Sequence, residues 1–178
     1  EMCIRDRRSQ VVAGAVDVVE ERLDDLANDE PWYGNNVVRL TRVSVDGGDV
    51  DITESIVIEG EYVSARAIDG TARVVIRSNP QQNFPFVYPA GPSGEDIATE
   101  ANRAAVQQSE LSDWLPAYGT ADAAGNITPM GLLPDCPSVH APTEFAGFGV
   151  LSVVSVPVSG SLDDPDSTSV LAPGSVSY

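Results

Sequence analysis

The chain reads as a mainly β fold carrying helical additions. Three observations point there. Four segments between Val37 and Arg77 are short, rich in β-branched residues and separated by Gly- and Asp-containing turns. A strand, turn, strand, glycine order recurs near the end of the chain. The stretch between the two copies changes character, becoming rich in Pro, Gly and Ala. With 178 residues, 42% of them apolar, the chain can bury one domain-sized core.

Taken in order, residues 1–7 (Glu1-Met2-Cys3-Ile4-Arg5-Asp6-Arg7) resemble the translation of a sequencing adapter and are set aside from the fold. Over residues 8–30, Val11, Val12, Ala15, Val18, Val19, Leu23 and Leu26 recur at helical spacing, which predicts an amphipathic helix ended by Pro31 and Gly34. Residues 35–78 then read as four strands. Val37 to Val45 alternates, with a phase slip between Leu40 and Val43 that a bulge would allow. Asp46-Gly47-Gly48-Asp49 is a turn, and Val50, Ile52, Ile56 and Ile58 keep one phase of the second strand. Gly60 breaks that strand. Tyr62 to Ile68 and Thr71 to Arg77 flank Asp69-Gly70, the dipeptide a type I′ hairpin prefers because both central residues need positive φ. Such an antiparallel four-stranded meander is one propeller-type blade.

Residues 79–146 read as a helix-and-loop insertion. Phe84, Phe86 and Tyr88 punctuate a Pro- and Gln-rich loop. Ser93 with Asp96 forms a capping-box pattern ahead of a helix from Glu95 to Gln108, with Ile97, Ala101, Ala104, Ala105 and Leu111 on its apolar face. Ser112 to Leu115 is a capped further turn, and 117–143 is loop. Residues 147–178 resume the strand pattern at Gly147 to Val158 and Thr168 to Ala172.

Placing Leu40 on Leu151 aligns Val43-Ser44-Val45 with Val154-Ser155-Val156. After a three-residue gap, Ser55-Ile56 falls on Ser169-Val170 and Gly60 on Gly174. Removing the insertion from this long period leaves a blade-sized unit of about 40–45 residues. The expected architecture is therefore one antiparallel four-stranded blade plus the start of a second, the latter truncated at Tyr178 before its third and fourth strands.

The formal charge is −17, from 27 acidic and 10 basic residues. That field opposes nucleic acid and anionic lipid, so neither is expected as a partner. No apolar run approaches the roughly 20 residues a membrane-spanning helix needs. Setting Cys3 aside leaves Cys136 alone, so no internal disulfide is expected.

The chemistry-bearing residues give no site. A Ser-His-Asp hydrolase would have to use His140, yet no G-x-S-x-G elbow occurs. One Cys and one His cannot complete a zinc site. Asp163, Asp164 and Asp166, or Asp46, Asp49 and Asp51, offer oxygen ligands to calcium but match no EF-hand loop and read as solvated acidic turns. Arg66 is expected in an ion pair. Gly91-Pro92-Ser93-Gly94 lacks the Lys and the spacing of a phosphate loop. Asn126-Ile127-Thr128 fits a glycosylation sequon. Phe84, Phe86, Tyr88 and Trp114 suit either a buried pin holding the insertion to the body or an aromatic ligand platform. No catalytic, metal-binding or cofactor-binding residue is assigned, and no cofactor is expected.

Residues 59–66 (Glu-Gly-Glu-Tyr-Val-Ser-Ala-Arg), 71–77 (Thr-Ala-Arg-Val-Val-Ile-Arg), 112–116 (Ser-Asp-Trp-Leu-Pro) and 145–153 (Phe-Ala-Gly-Phe-Gly-Val-Leu-Ser-Val) together carry a resemblance. From about Val37 to Tyr178 the chain resembles the bacterial and archaeal family of secreted proteins with a C-terminal β-propeller domain distantly related to WD40 repeats. The resemblance implies a propeller, export to the cell envelope or beyond, and more blades than are present here. The functional expectation is a binding platform for an extracellular protein or glycan. The alternative is an extracellular enzyme whose catalytic residues lie on other blades or in the insertion.

Overall fold

A computed structural model describes residues 9–12, 16–22, 36–46, 49–122, 124–172 and 174. Residues 1–7 lie outside it. The chain forms β1 (Ser9–Val12), β2 (Val16–Arg22), β3 (Asn36–Asp46), β4 (Asp49–Glu59), β5 (Glu61–Ile68), β6 (Thr71–Ser78), α1 (Glu95–Gln107), β7 (Ala117–Ala121), β8 (Ile127–Leu132), β9 (Val139–His140), β10 (Val150–Pro157) and β11 (Asp166–Leu171). They make two sheets, in the orders β1-β2-β3-β4-β7-β8 and β5-β6-β10-β11-β9. The mainly β class and the helical insertion are as expected.

The expected N-terminal helix is replaced by strands. β1 pairs with β2 and β2 pairs with β3, both antiparallel, with Val18 opposite Leu40 and Val19 opposite Arg39. Val11, Val12, Val16, Val18 and Val19 are β-branched, stiff at χ1 and better suited to a pleated surface than to a helix. The edge of β3 supplies the partner that turns this preference into structure. Residues 23–30 of the expected helix lie outside the described residues.

The four strands between 36 and 78 do not share one sheet. β3 and β4 close the meander β1-β2-β3-β4, whereas β5 and β6 start the next, which β10 and β11 complete. β10 and β11 are thus the third and fourth strands of the second meander rather than the opening of another. The physical reason sits at Gly60. Its φ is +133°, and a Cβ there would lie 2.7 Å from the Arg77 carbonyl oxygen and 2.7 Å from Ile76 Cγ2. Only glycine lets the chain leave β4 and cross so closely over the end of β6. Its N–H donates to the Asn36 carbonyl at 2.8 Å, fixing the departure against the start of β3.

The repeat survives this shift of phase. Thr41 stands opposite Ser55 in the first sheet and Ser152 opposite Ser169 in the second. Each pair is buried and shares a hydroxyl–hydroxyl hydrogen bond, of 3.2 Å and 2.7 Å respectively. These are the positions the alignment of Leu40 with Leu151 and of Ser55 with Ser169 equates. Gly174, the counterpart of Gly60, is likewise close-packed, since a Cβ would meet Leu151 Cδ2 at 2.8 Å.

The register shift falls between Arg42 and Val43, where the phase slip is expected, and leaves Thr53 of β4 without a partner. One extra residue reverses the face presented beyond it. Ile56 and Ile58 are therefore fully buried, whereas Ile52, expected on their face, is 65% exposed. At Asp69-Gly70 both φ values are positive, 51° and 75°, as a type I′ turn requires.

The core lies between the two sheets. Val38, Leu40, Ile56 and Ile58 of the first meet Ala72, Val74, Ile76, Val154 and Val156 of the second, with Leu133 and Leu162 closing the sides. Each such Leu, Ile or Val contributes roughly 1.5–3 kcal/mol on full burial.

Candidate functional site

Residues 79–149 leave the second sheet after β6 and return at β10, and Ser78 and Val150 face each other in register. The stretch thus starts and ends at one point. Its outward half begins with a 3₁₀ turn, Pro80–Asn83, whose start is held by the Asn79 side chain accepting from the Gln81 N–H at 3.3 Å. Phe84 follows, 7% exposed, with Phe86 stacked on it at 5.1 Å.

Helix α1 occupies the expected span and packs through a stripe that keeps Ala104 and Ala105 of the expected face but is shifted away from Ile97 and Ala101. Ala98 is buried and Asn102 and Ala105 are half-buried, while Ile97 is 74% exposed. Asn102 explains the choice. Its amide accepts from the Val87 N–H at 2.8 Å and donates to the Val87 carbonyl at 3.0 Å, a two-bond clamp of the loop onto the helix. Ser93 forms no cap, and the helix starts from Gly94 with Glu95 and Asp96 in its first turn, where carboxylates suit the helix dipole. The turn before Trp114 is Leu111–Asp113, closed by the Asp113 carboxylate accepting from the Glu110 N–H at 2.8 Å. Trp114 Nε1 donates to Ser109 Oγ at 2.8 Å.

The expected loop 117–143 contains β7 and β8, which extend the first sheet beyond β4. Polar residues, Gly119 and Pro129 concealed these strands in the sequence. β7 is positioned by the Ala117 N–H, which donates to Glu59 Oε2 at 3.3 Å. Burial pushes the Glu59 carboxyl above its ordinary range, and the bond from Ala117 partly offsets this.

The aromatic residues converge on one that the chemical reading of the rings left out. Phe148, two residues before β10, meets Phe84 at 6.1 Å, Phe86 at 5.5 Å, Trp114 at 5.8 Å and Phe145 at 5.4 Å. Trp114 also meets Phe84 edge-on at 4.8 Å. These contacts fasten the returning end of the insertion to its outgoing end. Tyr88 is outside the packed group and 81% exposed. The signal available in the sequence was Phe145-Ala-Gly-Phe148, a pair of rings beside a strand start. On one side of Phe148 a groove of about 480 Å³ runs between α1 and the 86–88 segment, lined by Phe86, Tyr88, Arg103, Val106 and Phe148 together with the amide side chains of Gln81, Asn102 and Gln107. On the other side a hollow of about 150 Å³ is bounded by Trp114, Pro142 and Phe145. Arg103 lies 3.3 Å from Glu100, an exposed pair of small energetic weight.

The other chemistry-bearing residues stay apart. His140 is exposed on β9, in register with Val170. Cys136 is a free, exposed thiol. Among the described residues no group of three or more His, Cys, Asp or Glu could hold a metal ion. Asp163 and Asp164 are exposed in the turn before β11, and the side chains of Asp46 and Asp49 lie outside the described residues. Arg66 stands exposed opposite Arg73 instead of a carboxylate. Between β5 and β6 a cross-strand ion pair is made by Arg77 and Glu61, with Asn36 donating to the same carboxylate at 3.4 Å. Asn126 of the sequon donates its amide to Asp122 at 2.8 Å. That bond, with several backbone N–H groups, holds the Asp122 carboxyl below its ordinary range.

Two four-stranded antiparallel meanders, following one another in the chain and packed face to face, are consistent with adjacent blades of a propeller. Residues 1–178 match the family model described as Beta propeller domain, and the chain belongs to that family. No curated protein and no solved structure matches it. No described helix is long and apolar enough to cross a membrane.

Proposed function

We propose that this chain is an extracytoplasmic propeller module acting as a binding platform, with the two sheets as frame and residues 79–149 as the recognition element. The observation that carries this reading is the distribution of exposed apolar side chains. Val87, Tyr88, Ile97, Val106, Leu111, Met130 and Phe145 lie in that stretch, against Ile52, Ile68 and Val170 elsewhere among the described residues. A chain of net charge −17 has ample polar residues with which to cover a surface, so their displacement by apolar groups in one region marks a contact surface. The family resemblance supports export.

Two measurements test the two halves of the reading. An antibody against the chain labels intact cells of the source organism, whereas labelling only after lysis overturns the extracytoplasmic half. Thermal unfolding is followed with neutral oligosaccharides, apolar peptides and phosphatidylcholine vesicles. A bound partner at about 100 times its Kd adds about 2.7 kcal/mol, an upward shift on the order of 5–10 °C. No shift with any of the three classes overturns the binding half.

A further inference from the structure

We infer that the groove between α1 and the 86–88 segment is a binding site for a neutral oligosaccharide, with Tyr88 as the stacking residue. This rests on the binding-platform reading and names its ligand class.

Size and shape come first. At about 480 Å³ the groove falls within the roughly 300–1,000 Å³ typical of small-molecule sites. Its floor is fixed before any ligand arrives. Phe86 and Phe148 meet edge to face at 5.5 Å, and both are braced by the buried Phe84. Tyr88 is mostly exposed, yet its backbone neighbour Val87 is held by both hydrogen bonds of the Asn102 clamp. The ring therefore projects from an anchored backbone, which lowers the ordering cost of using it for contact.

Charge narrows the ligand. No carboxylate lines the groove, so a cationic ligand finds no ion-pair partner there. Arg103 is the one cation among the lining residues, exposed and only weakly paired with Glu100, and it stands in a chain of net charge −17 that opposes an anionic ligand. A neutral molecule remains. The wall is mainly apolar, and the exposed residues Gln81 and Gln107 add side-chain amides to its lining. A pyranose has that same division: a C–H face that packs on an aromatic ring, and hydroxyls at its edge that an amide can both donate to and accept from. A lipid tail would gain nothing from the amides.

Isothermal titration of the full chain with tri- to hexasaccharides of glucose, mannose and N-acetylglucosamine tests the site, with an apolar peptide titrated in parallel. At least one saccharide series binds, and Tyr88→Ala weakens it by about tenfold or more while Tyr88→Phe keeps it within about threefold. Because Tyr88 is 81% exposed, the thermal midpoint of Tyr88→Ala without ligand stays at the wild-type value, which separates lost contact from lost fold. Saccharide binding that is unchanged in Tyr88→Ala overturns the site. Tyr88-dependent binding of the peptide without saccharide binding overturns the ligand class and leaves the platform reading standing. Binding of neither overturns the site, and the platform reading falls with it when phosphatidylcholine vesicles give no thermal shift either.

Discussion

The two ends of the paired sheets are built on different physics. At one end the chain turns back quickly, at Asp69-Gly70 and between β10 and β11, and the turns are tied together by polar groups. Arg42 Nη2 donates to the Pro157 carbonyl at 2.9 Å, while its Nε lies 3.7 Å from Glu54. Glu54 in turn accepts from the Leu162 N–H at 2.9 Å, and the Val158 N–H donates to the Gly70 carbonyl at 2.9 Å. At the other end the chain departs for residues 79–149, and Phe84, Phe86, Trp114 and Phe148 hold that excursion in place. Apart from Leu162, which reaches the core, the short connections bring few apolar residues, so directional bonds connect the sheets there. A long excursion brings its own apolar residues and docks by packing.

Three substitutions put this contrast under test. The largest effect is expected from Phe84→Ala, at about 3–5 kcal/mol for a buried ring. In hydrogen exchange the amides of α1 and of 111–115 lose protection, while those of β6 and β10 keep it. Equal loss in the strands would show that the excursion and the frame are one cooperative unit. Arg42→Ala is expected to cost about 1–3 kcal/mol, because a largely buried charged donor is removed and the Pro157 carbonyl loses its bond. A urea midpoint shift accompanied by faster exchange at 158–163, but not in α1, is the expected signature. Faster exchange in α1 as well would break the separation between the ends.

The smallest effect belongs to Glu59, which lies at the insertion end. Burial raises its pKa in the folded chain, so the folded state holds that proton to higher pH than the unfolded state does. Stability from this group is present below the ordinary Glu range and falls as pH rises from there through the raised value. Glu59→Gln flattens that slope, because the amide does not titrate. Thermal midpoints from pH 4 to 8 measure it, and an unchanged slope would mean the carboxyl is no more protonated folded than unfolded.

Much of the frame was legible because local chemistry and tertiary context agree there. Asp69-Gly70, the slip at Arg42-Val43, the span of α1 and the equivalence of Leu40 with Leu151 all follow from short-range constraints. What was hidden depended on distant partners. The Val-rich start reads equally well at a period of 3.6 or 2 until β3 offers an edge. Which four strands share a sheet depends on Gly60, where the crowding comes from Ile76 and Arg77. β7 and β8 have little apolar alternation, and the edge of β4 defines them. Of the groove, Phe86 and Tyr88 were visible as candidates, but the role of Phe148 required knowing that the two ends of the excursion meet.

That meeting bears on how such a chain can be altered. Ser78 and Val150 are cross-strand neighbours, so everything between them is, for the sheet, a single loop closure. Closing a loop of about seventy residues instead of about four costs only some 2–3 kcal/mol of chain entropy. The excursion can therefore be lengthened, shortened or exchanged at little expense to the strands that carry it. The constraints on such exchange are Leu133, which closes the core, β9, which pairs with β11, and above all β4, whose outer edge β7 covers through the pairing of Ser55 to Ile58 with Tyr118 to Ala121. A replacement that omits this strand would bare a row of unpaired backbone groups and turn a tolerant graft site into a seed for self-association.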